Sequence, residues 1–206
     1  MTREARRDQV MAVARDLFAR EGYHHVAMDD IAALAQISKP VLYRHFNSKL
    51  DLYLAVVDQR GEALVAAINE ALAAVEDGAT DGRSMVRAIV SSYVQFVEDA
   101  GESFSLLFES DVTRDSDVRR RVESASAQAA TAICTGLHEL AGLPAAQADL
   151  LSTALVGMAR VAATSRYRAA QTGSAAVDIE ETVDLITQFA WRGVAGLVKD
   201  RPDPRG

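Results

Sequence analysis

Met28-Asp29-Asp30-Ile31-Ala32-Ala33-Leu34-Ala35-Gln36-Ile37-Ser38-Lys39-Pro40-Val41-Leu42-Tyr43-Arg44-His45-Phe46 is the most informative run of the chain. Two short helical patterns, about 28–35 and 39–45, flank the turn Gln36-Ile37-Ser38, with Ser38 at the N-cap of the second. This is the spacing of a helix-turn-helix. Ile31, Leu34, Ile37 and Leu42 are expected to bury the inner faces of the pair against a preceding helix. Lys39, Pro40, Tyr43 and Arg44 are left facing outward, where the second helix fits a major groove. Arg44 suits a bidentate fork to guanine and Pro40 a thymine methyl. Tyr43, His45 and Lys49 suit phosphate, and the start of the next helix adds backbone N–H groups. Arg3, Arg6 and Arg7 form a basic arm within reach of the same backbone.

Outward from this stretch the chain reads as all-α. Val10, Val13, Ala14, Leu17 and Phe18 recur at helical steps, so residues 3–20 predict an amphipathic helix ending at Gly22. Ser48, with Asp51 as its capping-box partner, opens a long fourth helix. Its apolar positions are Leu50, Leu54, Val57, Gly61, Leu64, Ile68, Leu72 and Val75, and it stops near Gly78. Further helices are expected at about 84–99, 103–109, 116–140, 145–170 and 179–199. Gly82, Gly101, Gly142 and Gly173 punctuate the gaps, and Asp178 with Glu181 caps the last helix. No Pro lies in residues 41–143, and strand-like alternation is absent. The expected organisation is a three-helix head (1–48), a helical body of residues 49–200 entered through helix four, and a frayed tail (201–206). About nine helices are expected in all.

Composition narrows the classes. Of 206 residues, 49% are hydrophobic and 25% charged, which excludes a disordered or collagen-like chain. The lone Cys134 excludes an internal disulfide and a multi-cysteine zinc site; with His138 it makes two ligands at i, i+4, too few for a metal. The net charge is −7, yet residues 1–50 carry +2 and three of the four histidines. The head is therefore the face for a polyanion. No signal peptide and no membrane span is expected, which points to the cytoplasm. Neither a G-x-S-x-G elbow, a phosphate loop nor a dinucleotide fingerprint is present, so an enzyme reading has no residues to stand on. Arg119, Arg120 and Arg121 are read as a solvated helix end paired with Asp115, Asp117 and Glu123.

Three runs carry a family resemblance: Ala14-x-x-Leu17-Phe18-x-x-x-Gly22-Tyr23, then Met28-x-x-Ile31-Ala32, then Ser38-Lys39-Pro40-Val41-Leu42-Tyr43-x-His45-Phe46-x-Ser48-Lys49-x-x-Leu52. Together they resemble the DNA-binding domain of TetR-family transcriptional regulators. The resemblance implies a homodimer that binds palindromic operator DNA, with residues 39–45 as recognition helix. Where the family has Thr or Ser before helix two, this chain has Val26-Ala27. The lost cap costs about 1 kcal/mol, Asp29 and Asp30 offset it through the helix dipole, and phosphate contact at Ala27, beside Met28, falls to the backbone.

The resemblance further implies an effector pocket in the body. Ile89, Tyr93 and Phe96, then Phe104, Leu107 and Phe108, then Ile133, Leu137 and Met158 are its candidate wall, with a filled core as the alternative. No acidic cluster, buried basic residue or aromatic cage is evident, so the wall favours a lipid-like ligand. The runs Gly22–Ala32, Ser38–Tyr43 and Leu107–Arg114 are similar to the actinobacterial regulators of fatty-acid biosynthesis, which sense long-chain acyl-CoA. That similarity implies control of lipid-metabolism genes, with helix four as the mechanical link. Leu151, Leu155 and Ala159, with Phe189, Gly193, Gly196 and Leu197, are the candidate dimer face. No cofactor is expected. Two alternatives stay open: a repressor of the same type answering another hydrophobic molecule, and a helical lipid-binding protein with a vestigial head.

Overall fold

A computed structural model of the chain describes residues 2–76, 82–108, 112, 115–141 and 143–199. Side chains are described at all of these except 75–76, 136–137, 139–141 and 194–199. Gly78, Gly142, the tail 201–206, most of the stretch 109–114, and the side chains of Leu137, Gly196 and Leu197 lie outside the described residues.

Among the described residues the structure is helical: α1 (Arg3–Glu21), α2 (Met28–Leu34), α3 (Lys39–His45), α4 (Lys49–Glu76), α5 (Gly82–Ala100), α6 (Ser105–Phe108), α7 (Ser116–Ala141), α8 (Ala145–Gln171) and α9 (Ile179–Lys199). A single 3-10 turn, Gly101–Phe104, precedes α6. The segment expected as one helix over 103–109 is thus divided into this turn and α6.

Helix ends follow from their caps. Thr2 Oγ1 accepts from the Ala5 N–H at 3.1 Å, and Gly22 closes α1 at φ 77° with its N–H on the Phe18 carbonyl. At α2, Ala27 has no side chain to cap with, but Asp30 reaches back to accept the Ala27 N–H at 2.9 Å. Half of a capping box survives, and Asp30 acts through a hydrogen bond as well as the dipole. Ser38 occupies the N-cap of α3 without a side-chain cap bond. At α4, Ser48 Oγ accepts from the Asp51 N–H, while Asp51 takes the N–H of Asn47, one residue before the expected partner.

The chain packs as two compact units. The first comprises residues 1–63 and 100–125. Val10, Ala14, Leu17 and Phe18 of α1, Ile31 of α2, Leu42 of α3, Phe46, and Leu52, Tyr53 and Val56 of α4 fill its core. Phe18 and Tyr53 meet edge to face, with ring centroids 5.1 Å apart, and Tyr23 joins them. The turn Gly101–Phe104 and α6 also pack on α1, so this unit is larger than the three-helix head cut at residue 48. A Cβ on Gly61 would lie 2.9 Å from the Cβ of Ala125, so only glycine lets α4 and α7 approach this closely here. Leu34, expected inside, is 57% exposed: a helix of two turns buries only Met28, Ile31 and Ala32.

The second unit comprises residues 64–99 and 126–206. Its core takes Leu64 and Ile68 of α4, Val86, Ile89, Val90, Tyr93 and Val97 of α5, Ala129 and Ile133 of α7, and Ala148, Ala159 and Ala163 of α8. Arg87 of α5 pairs with Asp184 and, at 2.7 Å, with Glu180 of α9. Gly82, expected in a gap, opens α5 and lies under the ring of Trp191.

Candidate functional site

The helix-turn-helix is built by backbone closure at the turn. The Ile37 N–H bonds the Ala32 carbonyl at 3.0 Å and the Gln36 N–H the Ala33 carbonyl at 3.1 Å. This double closure needs a left-handed residue after the C-cap, and Gln36 supplies it at φ 54°. Gln9 Nε2 reaches from α1 to the Ala35 carbonyl at 3.2 Å, tying the turn to the first helix. Leu42 anchors α3 from beneath with no exposed surface.

The outward face of α3 is then fixed. Lys39, Pro40, Tyr43 and Arg44 are exposed and His45 is half-buried. The Lys39 ammonium lies 2.8 Å from Asp29 of α2, an exposed pair that raises the Lys39 pKa through the hydrogen bond and the charge of Asp29. His45 is pushed the other way, first by partial desolvation and then by the charges of Arg3, Arg44, Arg7 and Arg6. Arg7 donates to the His45 carbonyl at 3.0 Å and covers the Phe46 ring at 4.2 Å, which fastens the end of α3 to α1.

Two residues sit differently from expectation. Met28 is only 7% exposed and belongs to the core, so any contact with a ligand falls to its backbone. Lys49 points back into the head: Nζ donates to the carbonyls of Tyr23 at 2.8 Å and Val26 at 2.9 Å and lies over the Tyr23 ring. Two of its three donors therefore close the α1–α2 turn. Ala27 is exposed at the start of α2.

The candidate pocket residues divide between the units. Phe104, Leu107 and Phe108 lie in the first, with the two Phe rings 6.4 Å apart. Ile89, Tyr93, Phe96 and Ile133 are buried in the second. Burial holds the Tyr93 hydroxyl well above the usual tyrosine range. Met158 instead lines a groove of about 910 Å³ between α8 and α9, with Leu151, Leu155, Leu185, Phe189 and Gly193. Four of the candidate dimer residues thus share one apolar groove. Ala159 does not face it openly: it is fully buried within the chain. Phe189 is 72% exposed and Leu185 50% exposed.

The expectation of a body without buried basic residues is corrected. Arg166 of α8 has a side chain 10% exposed and is paired with Glu98 of α5. Arg121 pairs with Asp58 of α4 rather than with a neighbour on α7, whereas Arg120 pairs with Asp117 as expected. Sixty-odd residues separate each of the two cross-helix pairs, so local charge patterning does not reveal them. His138 Nδ1–H donates to the Leu143 carbonyl at 2.6 Å.

The fold and this face define a helix-turn-helix protein with an all-helical body. The family described as bacterial regulatory proteins, tetR family, matches residues 10–56. Over 195 residues the chain is 33% identical to the HTH-type transcriptional activator FasR of Mycolicibacterium smegmatis, covering 95% of this chain and 85% of that one. A TetR-like transcriptional regulator from Rhodococcus sp. RHA1 has 28% identity and a TM-score of 0.72, over 95% of this chain and 99% of its own. The fatty acid degradation regulator FadR from Bacillus halodurans shares the fold, with 17% identity, a TM-score of 0.70 and coverage of 89% and 93%. The chain belongs to the TetR family of transcriptional regulators, which is not a family of enzymes. Among the described residues no helix is long and apolar enough to cross a membrane.

Proposed function

We propose that the protein is a cytoplasmic, homodimeric regulator that binds palindromic operator DNA through α3 and releases or retains it according to a hydrophobic effector, a long-chain acyl-CoA or similar lipid. Control of lipid-metabolism genes follows from that effector. The observation that carries the reading is the reach of the similarity to FasR, which extends over head and body together rather than the helix-turn-helix alone. On α3, Arg44 and Lys39 read bases, Pro40 touches a methyl group, and Tyr43 and His45 meet phosphate. The backbone at Ala27 and Met28 meets a neighbouring phosphate, and Lys49 supports it by closing the turn before α2.

The effector's place is the apolar interior of the second unit around Ile89, Tyr93, Phe96 and Ile133. Ile89, Tyr93 and Ile133 have essentially no exposed surface, so a lipid chain enters by opening the core. α4 runs unbroken from Lys49 to Glu76 and carries the change to the head. About 3 kcal/mol of coupling changes operator affinity roughly a hundredfold. The exposed groove of α8 and α9 supports the homodimer, since an apolar surface of this kind on a soluble regulator calls for a partner.

Thermal melting against acyl-CoAs of graded length tests the effector. The expected result is a rise that grows toward long chains, is absent with free CoA, and is matched by release from duplex DNA. A melting temperature unmoved by every acyl-CoA removes the effector assignment and leaves DNA binding standing.

A further inference from the structure

The first turn of α1 and the last turn of α3 face each other across a cleft of about 680 Å³ lined by Thr2, Arg3, Arg6, Val41, Arg44 and His45. Its floor is held in place, because the Arg7 guanidinium bonds the His45 carbonyl at 3.0 Å. The charged groups acting on His45 are Arg3, Arg6 and Arg7 from α1 and Arg44 from its own helix, and all four are positive. Partial burial, and then these charges, hold the imidazole below its ordinary pKa and disfavour its protonated form in the free protein. A phosphodiester in the cleft brings a fixed negative charge among three guanidinium groups and one imidazole, which opposes the positive field at His45 and favours its protonated form.

We propose that this cleft is a seat for one backbone phosphate of duplex DNA and that His45 takes up a proton as the phosphate enters, making DNA binding proton-linked. The inference rests on the DNA-binding reading above and adds regulation of the same face by pH. The sign follows from linkage. A group protonated more fully in the complex than in the free protein strengthens binding as the pH falls, through the interval between its free and bound midpoints. Arg3, Arg6 and Arg44 keep their charge at every pH in this range; among the described residues lining the cleft, His45 alone changes charge.

The test uses the full chain and a labelled duplex of mixed sequence at low salt. Affinity is expected to rise roughly three- to tenfold between about pH 8 and about pH 6. His45→Gln flattens that slope, and His45→Arg, with a fixed charge, binds at pH 8 about as the parent does at pH 6. The His45 imidazole, followed by NMR, titrates at higher pH with duplex than without. A slope that persists in His45→Gln, or a His45 midpoint that the duplex does not move, overturns the inference while DNA binding stands. A chain that binds no duplex at either pH overturns the DNA-binding reading itself.

Discussion

Lys39 is held by Asp29 across the α2–α3 angle before any nucleic acid arrives. An exposed pair of this kind contributes little to stability, yet its carboxylate lies on the proposed DNA face. Asp29→Asn is therefore expected to strengthen duplex binding several-fold at low salt and to do less at high salt; unchanged affinity in a fluorescence titration would place Lys39 away from the DNA. Lys49 carries a different expectation. Because its ammonium bonds the carbonyls of Tyr23 and Val26, Lys49→Ala should lower the melting temperature of the free protein, and not only weaken its hold on DNA. Gln36 makes the third residue-scale case. At φ 54° it occupies a conformation that costs a side-chain-bearing residue about 1 kcal/mol. Gln36→Gly is expected to leave the fold intact and raise stability by up to about that amount in denaturant melts, and a clear loss would show that the Gln36 side chain holds the turn.

At the scale of elements, helices are where the sequence spoke most clearly. The observed bounds of α3 and α9 coincide with those predicted from periodicity and caps, and those of α1, α7 and α8 differ by a residue. Long amphipathic segments carry many apolar positions each, so the pattern is over-determined. Short ones do not: α2 has seven residues, and its periodicity alone wrongly turned Leu34 inward. The side-chain networks were less legible still. The Arg166–Glu98 and Arg121–Asp58 pairs join helices far apart in the chain. The packing of Gly101–Phe104 on α1 likewise depends on tertiary contacts that no local pattern encodes. Of the candidate site, the outward face of α3 was readable because a helix-turn-helix fixes which positions remain free. The destination of Lys49 was not, since a flexible four-carbon stem reaches carbonyls and phosphates equally well. The α4–α7 approach offers a test at this scale. Gly61→Val puts a branched side chain against Ala125 and is expected to destabilise by about 1–3 kcal/mol, read as an earlier midpoint in denaturant. An unshifted midpoint would mean the two helices stand further apart.

In the proposed dimer, the face of α8 and α9 and the face of α3 work together, because a palindromic site needs two heads. Among the described residues, nothing lies within 4 Å of where a Cβ on Gly157 or Gly193 would stand. A helical glycine costs about 1 kcal/mol relative to alanine, and the close approach of a second copy in the proposed dimer would give these two a reason. Phe189→Glu is expected to convert the dimer to monomer by light scattering, with helicity retained and operator binding weakened; a variant that stays dimeric would move the interface off this groove. Sequence-specific binding through α3 in a two-headed molecule is read out by selecting duplexes from a random pool. Enrichment of a two-fold symmetric site is expected, and Arg44→Ala is expected to abolish its recovery. A pool that returns no enriched sequence, from a chain that still binds lipid, would contradict it and describe a lipid-binding protein with an idle head.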